Sequence, residues 1–317
     1  MRIPTIEDVQ EATKRIKPFI KRTPVLTSNS INQITQSEIF FKCENFQKVG
    51  AFKFRGATNA VFSLIENEAK KGVATHSSGN HAQALALAAK ICGIPATIVM
   101  PDNSPKIKKD AVAGYGAEII FCEPTLEARE SILEKVINEK GPIFIHPYHN
   151  FNVIAGAGTA GKELVEDIPD LDYVITPVGG GGLLSGTSIS VKALSANTKV
   201  IAAEPEGADD AYRSLQTGRI IPSVNPNTIC DGLLTSLSER TFKIVSQNVS
   251  DIITVSDKST IAAMRLIWER MKIIVEPSAA ITLGMLLENK TNLKGKRIGI
   301  IISGGNVDLE KLPWKKC

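Results

Sequence analysis

Four consecutive glycines lie in the stretch Val178-Gly179-Gly180-Gly181-Gly182-Leu183-Leu184-Ser185-Gly186. Its four glycines lie between an apolar run, Tyr173–Val178, and a segment with helical spacing. Glycines leave backbone N–H groups unobstructed and permit positive φ, and at a helix N-terminus such groups form a nest for an anion. The stretch therefore predicts a strand, a phosphate-binding loop and a helix in that order.

Strand-sized apolar runs recur on both sides of this loop, and helix-like segments such as His81–Ile91 and Thr260–Met271 alternate with them. Such alternation predicts an α/β fold, with parallel sheets covered by helices on both faces. Ligands of such sheets bind beyond the carboxyl ends of the strands. The predicted strands are Ile39–Cys43, Val73–His76, Ala96–Met100, Glu118–Cys122, Ile143–His146, Tyr173–Val178, Lys199–Ala203, Ile252–Val255 and Arg297–Ile302.

Length and composition narrow the class of protein. A chain of 317 residues predicts about two domains. Its net charge of +4 is a small difference between 37 basic and 33 acidic residues, so nucleic acid is not an expected partner. No apolar run approaches the roughly 18–20 residues of a membrane span, and the N-terminus lacks the apolar segment of a signal peptide. We therefore expect a cytoplasmic protein without membrane contact.

The five cysteines are odd in number and widely spaced, without a CxxC pair. This spacing favours neither a disulfide framework nor a structural zinc site, and it predicts free thiols. The residues are Cys43, Cys92, Cys122, Cys230 and Cys317.

Gly156-Ala-Gly158-Thr-Ala-Gly161-Lys162-Glu163 matches both the dinucleotide fingerprint and the beginning of a P-loop. Glu163 stands where a P-loop needs Ser or Thr, and the next strand runs into Pro177 instead of ending on an acidic residue. We interpret the segment as a helix N-terminus packed closely against other backbone.

Three further motifs each allow two interpretations. In Gly50-Ala-Phe-Lys53-Phe-Arg-Gly56, Lys53 is either a snorkelling surface lysine or a desolvated amine suited to Schiff-base chemistry. Ser77-Ser78-Gly79-Asn80-His81 could hold a carboxylate at a helix N-terminus or supply a capping side chain. The carboxylates of Glu204–Asp210 fit a solvated acidic loop or a site for a hard cation.

Taken together, these segments resemble the fold-type II pyridoxal-phosphate (PLP) enzymes, and within them the serine racemase and serine/threonine dehydratase family. The resemblance is carried in family order by KCENFQK at Lys42–Lys48, GAFKFRGA at Gly50–Ala57, SSGNHAQA at Ser77–Ala84, VGGGGLLSG at Val178–Gly186, AAEPEGADD at Ala202–Asp210, ERMK and EP at Glu269–Pro277, and SGGNVD at Ser303–Asp308. It implies an α/β fold of the tryptophan-synthase-β-like type, with two open twisted sheets and flanking helices. Residues 1–71 and 149–317 would form a large PLP-binding domain, and residues 72–148 a small mobile domain.

The resemblance also implies roles for single residues. Lys53 would bind PLP as a Schiff base, Phe52 would pack on its ring, and Asn80 would bind its 3′-hydroxyl. Gly179, Gly180, Gly181 and Gly182 would cradle the phosphate, and Ser77, Ser78, Gly79, Asn80 and His81 would bind substrate. Ser303 would face the pyridine nitrogen, where a neutral serine makes the cofactor a weaker electron sink and suits elimination and racemisation. Glu276 matches a residue near the cofactor.

The implied activity is a serine racemase that interconverts L- and D-serine, with Lys53 and Ser78 on opposite faces of Cα. Serine dehydratase activity, which gives pyruvate and ammonia, would run in the same site. Dehydration of threo-3-hydroxyaspartate or L-threonine is the alternative, and a basic His149 would favour a substrate with a second carboxylate. Two hypotheses of other classes are a nicotinamide-dependent dehydrogenase built on Gly156–Gly161 and a catalytically silent PLP-binding regulator.

Further ligands follow from the resemblance alone. Glu204, the backbone of Ala208 and Asp210 match a site for a divalent cation, Mg²⁺ or Ca²⁺. Positions associated with an ATP site between the subunits of a homodimer are matched by Gln83, Tyr115, Lys272 and Asn306. Val49 and the sequence Gly156-Ala157-Gly158-Thr159 depart from the family pattern near that site.

Overall fold

The computed structural model describes residues 1–104 and 106–314, so Cys317 lies outside the described residues. Within this part of the chain, ten strands form two sheets: β1 (Val25–Leu26), β2 (Glu38–Cys43), β3 (Val73–His76), β4 (Ala96–Pro101), β5 (Glu118–Cys122), β6 (Ile143–Phe144), β7 (Tyr173–Pro177), β8 (Lys199–Pro205), β9 (Asp251–Val255) and β10 (Arg297–Ile302).

Helices flank both sheets, as the predicted α/β class requires: α1 (Ile6–Ile16), α2 (Asn29–Thr35), α3 (Lys53–Phe62), α4 (Glu66–Ala69), α5 (Asn80–Cys92), α6 (Lys106–Gly114), α7 (Leu126–Lys140), α8 (Phe151–Asp167), α9 (Gly182–Leu194), α10 (Asp210–Thr217), α11 (Glu239–Asn248), α12 (Asp257–Met271) and α13 (Pro277–Leu287). Short 3-10 helices cover Glu44–Phe46, Lys48–Gly50, Glu206–Ala208 and Leu309–Lys311. The fold class is confirmed.

The larger sheet has the strand order β1-β2-β10-β7-β8-β9, and its pairs are parallel except for β1 with β2. The smaller sheet has the order β5-β4-β3-β6 and is parallel throughout. Parallel strands covered on both faces read as continuous apolar runs, and β10 shows this with five buried residues in a row, Ile298–Ile302. The strands of the smaller sheet lie between residues 73 and 144.

Each of the nine predicted strands occurs, and differences are confined to their ends. The largest are two residues each: β8 continues to Pro205, and β6 ends at Phe144 because the chain turns at His146, whose ring accepts two backbone N–H groups. Strand β1 was not predicted, because two residues are too few to show the alternation of apolar and polar side chains that marks a strand.

Gly156–Gly161 lies inside α8, so the predicted helix N-terminus is wrong, although close packing against backbone is confirmed. A Cβ at Gly156 would lie 2.7 Å from the carbonyl oxygen of Arg55 in α3, and one at Gly158 would lie 2.8 Å from that of Gly186 in α9. The three helices therefore approach each other where glycine leaves room. The segment forms no strand-to-helix turn, which removes the basis for a nicotinamide-binding loop.

A buried ionic network lies beneath α3. Arg55 pairs with both Glu44 and Glu163, and Lys42 also donates to Glu163. All four side chains are at most about 5% exposed, and their formal charges cancel. The ion pairs offset the cost of removing these charges from water. They also connect β2, α3 and α8.

The four described cysteines are free thiols, as predicted: Cys43, Cys122 and Cys230 are buried and Cys92 is half-buried. Among the described residues, no helix combines the length and the apolar character that a membrane crossing needs.

Candidate active site

The segment that carries Lys53 lies against the loop after β10. The N–H of Phe52 donates to the carbonyl oxygen of Ser303 at 2.9 Å, and the N–H of Gly305 donates to that of Gly50 at 2.9 Å. Because β2 and β10 are neighbouring parallel strands, their carboxyl ends meet at one edge of the sheet. Lys53 and Ser303, which are 250 positions apart, are thereby brought to one site.

Lys53 is the first residue of α3 and is partly buried. Its amine donates to the carbonyl oxygen of Pro147 at 3.0 Å and lies 5.2 Å from the ring centre of Phe52. Burial lowers the pKa of Lys53 to about 8, and the field of Glu276 opposes that shift. The snorkelling interpretation is therefore wrong, and about a tenth of this amine is uncharged at pH 7, far more than for an exposed lysine.

The glycine loop lies between β7 and α9, as the sequence predicts, and all four glycines are buried. Gly181 has φ +82° and is the N-cap of α9. A Cβ on Gly180 would lie 2.4 Å from the ring of Tyr148, and one on Gly179 would lie 2.8 Å from Cα of Leu233. The loop thus presents backbone amides at a helix N-terminus, where side chains would not fit.

Asn80 belongs to a hydrogen-bonded group with Glu276 and Asn306. Its side-chain amide donates to the two carboxylate oxygens of Glu276 at 3.0 and 3.2 Å, and the amide of Asn306 donates to Oδ1 of Asn80 at 2.9 Å. Burial, reinforced by the charge of Asp231, raises the pKa of Glu276 to about 7. The same carboxylate acts on Lys53, so this group is electrostatically part of the site.

The loop Ser77–His81 begins α5 without a side-chain cap. The N-cap is Gly79, so the predicted capping serine or asparagine is wrong. Gly79 N–H donates to Oγ of Ser77 at 3.3 Å, and Nε2 of His81 is 3.0 Å from the carbonyl oxygen of Ile145. The side chain of Ser78 is partly buried at the same helix N-terminus.

Glu204 and Asp210 are each 1% exposed, which rules out the solvated acidic loop for these two residues. Glu204 accepts the N–H groups of Ala211 and Tyr212 at 2.7 Å each, at the start of α10. Burial raises the pKa of Glu204 to about 8 and that of Asp210 to about 6. Within the described chain no group of three His, Cys, Asp or Glu side chains is placed to bind a metal, so a cation here would need backbone or water ligands.

The four predicted nucleotide positions divide into two pairs. Gln83 and Asn306 line a cavity of about 610 Å³, together with Lys108, Asp231, Asp308 and others. Tyr115 is half-buried in the core beside α5, and Lys272 is exposed with its amine donating to the carbonyl oxygen of Glu269. Within one chain the structure brings only the first pair together.

Two parts of the site were missed by sequence reasoning. Tyr148 packs its ring on the glycine loop, and the segment Gly232–Leu233 closes the loop from the other side. Tyr148 belongs to none of the motifs that mark the site in the sequence, and Gly232–Leu233 has no periodicity or charge that would single it out. Both are located by tertiary packing alone.

A family model described as pyridoxal-phosphate dependent enzyme matches residues 16–304. The chain belongs to this family. Among its relatives, the β-hydroxyaspartate dehydratase of Paracoccus denitrificans is 53% identical over 314 residues, which cover 99% of this chain and 100% of that protein. The serine racemase of Dictyostelium discoideum is 52% identical over 312 residues, covering 97% and 96%.

The crystal structure of the Dictyostelium serine racemase superposes on this PLP-family chain with a TM-score of 0.92, at 53% identity, covering 96% of this chain and 99% of the other. The residues present also fit the cofactor of the family. A partly buried amine with a lowered pKa lies near a four-glycine cradle that side chains could not enter, and a buried hydroxyl, that of Ser303, lies at the same edge of the sheet. The amine can react with the aldehyde of PLP, the backbone amides of the cradle can bind its phosphate, and the hydroxyl can hydrogen-bond its ring nitrogen.

Proposed function

We propose that this PLP-family enzyme is a serine racemase that also works as a serine dehydratase, giving pyruvate and ammonia from L-serine. The observation that carries the proposal is the position of the Lys53 amine, 3.0 Å from the carbonyl oxygen of Pro147, whose neighbour Tyr148 packs on the glycine cradle. The 52% identity to a serine racemase over nearly the whole chain supports the choice of substrate.

The cofactor would be held by the residues named from the sequence. Lys53 would attach it, the amides of Gly179 to Gly182 would bind its phosphate, Asn80 its 3′-hydroxyl, Ser303 its ring nitrogen and Phe52 its ring face. PLP supplies an electron sink for the electrons left on Cα when a proton is removed. The protein's part is to orient the amino acid and to move the proton.

For racemisation, acid–base groups must stand on both faces of Cα, and we assign them to Lys53 and Ser78. A pKa of about 8 allows Lys53 to accept a proton near neutral pH and to return it. The backbone N–H groups at the start of α5, from Ser77 to His81, would bind the substrate carboxylate. Loss of the β-hydroxyl from the same activated substrate gives the dehydratase reaction.

Dehydration of 3-hydroxyaspartate is the second candidate, favoured by the 53% identity to a β-hydroxyaspartate dehydratase. The expected basic His149 does not support it, because burial and the charge of Arg240 lower the pKa of His149. A second substrate carboxylate would have to be paired with another cation. Arg129 is the candidate, since its charge acts on both His76 and Tyr148.

A substrate panel tests the choice. The purified enzyme is supplied with L-serine, D-serine, L-threonine and L-threo-3-hydroxyaspartate, and chiral product and ammonia are scored separately. We expect D-serine and pyruvate from L-serine, and a visible absorption band that Lys53→Ala abolishes. Turnover of hydroxyaspartate with no D-serine formation would establish the second candidate, and a coloured protein inactive on all four would leave a silent PLP-binding regulator.

The cation site is proposed at Glu204, the carbonyl of Ala208 and Asp210. Its support is two buried carboxylates outside any ion pair within 4 Å among the described residues, since Arg213 pairs with Asp209 instead. Burial raises the pKa of both groups, and Mg²⁺ or Ca²⁺ would take the place of the protons that they then hold.

A homodimer, an ATP site and the two-domain division are proposed on the family resemblance. Gln83 and Asn306 would bind the nucleotide from one subunit, and Tyr115 and Lys272 would complete the site across the dimer. Sedimentation equilibrium tests the dimer, and activity with and without ATP tests the nucleotide site.

Limited proteolysis with and without substrate tests residues 72–148 as a mobile domain. The cytoplasmic location stays a prediction.

A further inference from the structure

The turn from Ile145 to His149 is shaped by one imidazole nitrogen. Nδ1 of His146 accepts the backbone N–H of Tyr148 at 3.3 Å and that of His149 at 3.0 Å. Because both partners are donors, this nitrogen carries no proton. A single acceptor thus satisfies two amides and fixes the direction in which the intervening carbonyl groups point.

The same turn is anchored on both sides of His146. Nε2 of His81, a 2% exposed side chain of α5, is 3.0 Å from the carbonyl oxygen of Ile145 and must donate to it. On the other side, the ring of Tyr148 rests on Gly180. Between these anchors lies Pro147, whose carbonyl oxygen accepts the amine of Lys53 at 3.0 Å.

We infer that His146 is a positioning residue of the active site, which acts through the turn that holds the carbonyl oxygen of Pro147 against the amine of Lys53. The inference rests on the proposed role of Lys53. His146 touches neither this amine nor the glycine loop through a hydrogen bond of its own within the described structure. Its influence is mechanical, through the backbone.

The electrostatics of the turn keep Nδ1 available as an acceptor. Burial lowers the pKa of His146 to about 3, with further contributions from His76, His149 and Lys53. The imidazole is therefore uncharged throughout the working range of pH. The two backbone amides of the turn require an acceptor at this position, and the ring that carries it also packs edge-on against the ring of Tyr148, with the centroids 4.5 Å apart.

Loss of the acceptor has a defined consequence for Lys53. With two amides released, Pro147 no longer holds its carbonyl oxygen toward the amine, and the charged form of Lys53 loses its hydrogen bond. Since the amine stays buried, losing this acceptor lowers the pKa of Lys53 relative to that in the parent enzyme. We expect a downward shift of about one pH unit, the usual worth of a hydrogen bond to a charged group.

Two matched variants separate this role from a general need for folding. In His146→Asn the amide oxygen takes the place of Nδ1, whereas in His146→Gln the amide lies one carbon further out and reaches only the place of Nε2. Competitive acetylation with mass spectrometry, on the full chain freed of PLP, reads the titration of Lys53 directly. Steady-state kinetics with L-serine are measured on the PLP-loaded enzymes.

We expect His146→Gln to shift the titration of Lys53 down by about one unit and to lower kcat about tenfold with KM within about twofold. In His146→Asn, the pKa of Lys53 should stay within about 0.3 units of the parent value, and kcat should stay within about threefold. Equal behaviour of the two variants, or an unchanged Lys53 titration in His146→Gln, would overturn the inference. If the parent turns over no hydroxy amino acid, the proposed function fails while the acetylation result still stands.

Discussion

The ring of Tyr148 lies on Gly180 so closely that a Cβ at position 180 would be 2.4 Å from its Cγ and Cδ1 atoms. A Cβ added at Gly182 would likewise lie 3.0 Å from the Cβ of Tyr148. The glycine loop is therefore shaped by a side chain that comes from the turn holding Lys53. Cradle and lysine are parts of one packed unit.

Gly180→Ala should consequently displace the loop and weaken PLP binding about tenfold or more, because overpacking in a rigid site is not relieved locally. Absorbance titration of the stripped enzyme with PLP measures the change. Gly114→Ala is the matched control, since an added Cβ there meets nothing within 4 Å. Adding Tyr148→Ala should restore part of the lost affinity; an additive double variant would contradict the contact.

The buried carboxyl groups of Glu204 and Asp210 should make the stability of the folded chain depend on both pH and a bound cation. Their folded-state pKa values of about 8 and about 6 lie above the ordinary 4.5 and 3.8, so the folded chain holds protons that the unfolded chain has released. Without cation, stability should therefore fall as pH rises from about 4 to about 8. Mg²⁺ at pH 8 should raise the melting temperature by roughly 2–6 °C.

Glu204→Gln should remove the larger part of that pH dependence, leave the part due to Asp210, and abolish the response to Mg²⁺. The neighbouring Glu206 is exposed and pairs with Lys290, so Glu206→Gln is the control and should retain both effects. Differential scanning calorimetry from pH 5 to pH 8.5, with EDTA or Mg²⁺, distinguishes the variants. An equal response to Mg²⁺ in Glu204→Gln would argue against a cation at this site.

Ser78→Ala should separate the two reactions of the site. Racemisation needs a proton donor and an acceptor on opposite faces of Cα, whereas elimination needs removal of the proton from one face only. We expect formation of D-serine from L-serine to fall about 100-fold while much of the pyruvate formation remains. Chiral chromatography and coupled pyruvate detection on one sample give both rates, and equal losses would refute the two-face assignment.

Strands and loops were predictable because their signals are local. The bounds of β3, β5 and β10 follow from apolar runs. Gly179–Gly182 predicts a loop without reference to any other part of the chain. The position of Gly156–Gly161 was not predictable, since its glycines serve contacts with α3 and α9 rather than a turn. Only the assembled fold shows which surface a glycine faces.

The site divides in the same way. Lys53, Asn80 and Ser303 are marked by motifs, yet Tyr148 and the turn at His146 are defined by distances to residues more than 30 positions away. The burial of Glu204 and Asp210 likewise depends on how α10 packs against the sheet. The sequence identifies which chemical groups the site contains, whereas tertiary packing determines how far each group is exposed to water.

The buried network around Arg55 makes the last prediction, one about stability. Arg55 donates to two carboxylates at 2.7–2.9 Å, and Nη1 also donates to Thr159 at 3.1 Å, so each N–H of the guanidinium is used. Arg55→Met would leave Glu44 buried without a cation. Removing one partner of a buried pair costs about 3–5 kcal/mol, which urea denaturation should show as a lower free energy of unfolding.

Arg22→Met is the matched control for this change. Arg22 also pairs with a carboxylate, Asp167 at 2.5 Å, but its side chain is 54% exposed, so its loss should cost at most about 1 kcal/mol. Glu44→Gln added to Arg55→Met should recover part of the stability, because the remaining group is then neutral. If Arg55→Met were no more destabilising than Arg22→Met, the network could not be what holds β2, α3 and α8 together beneath Lys53.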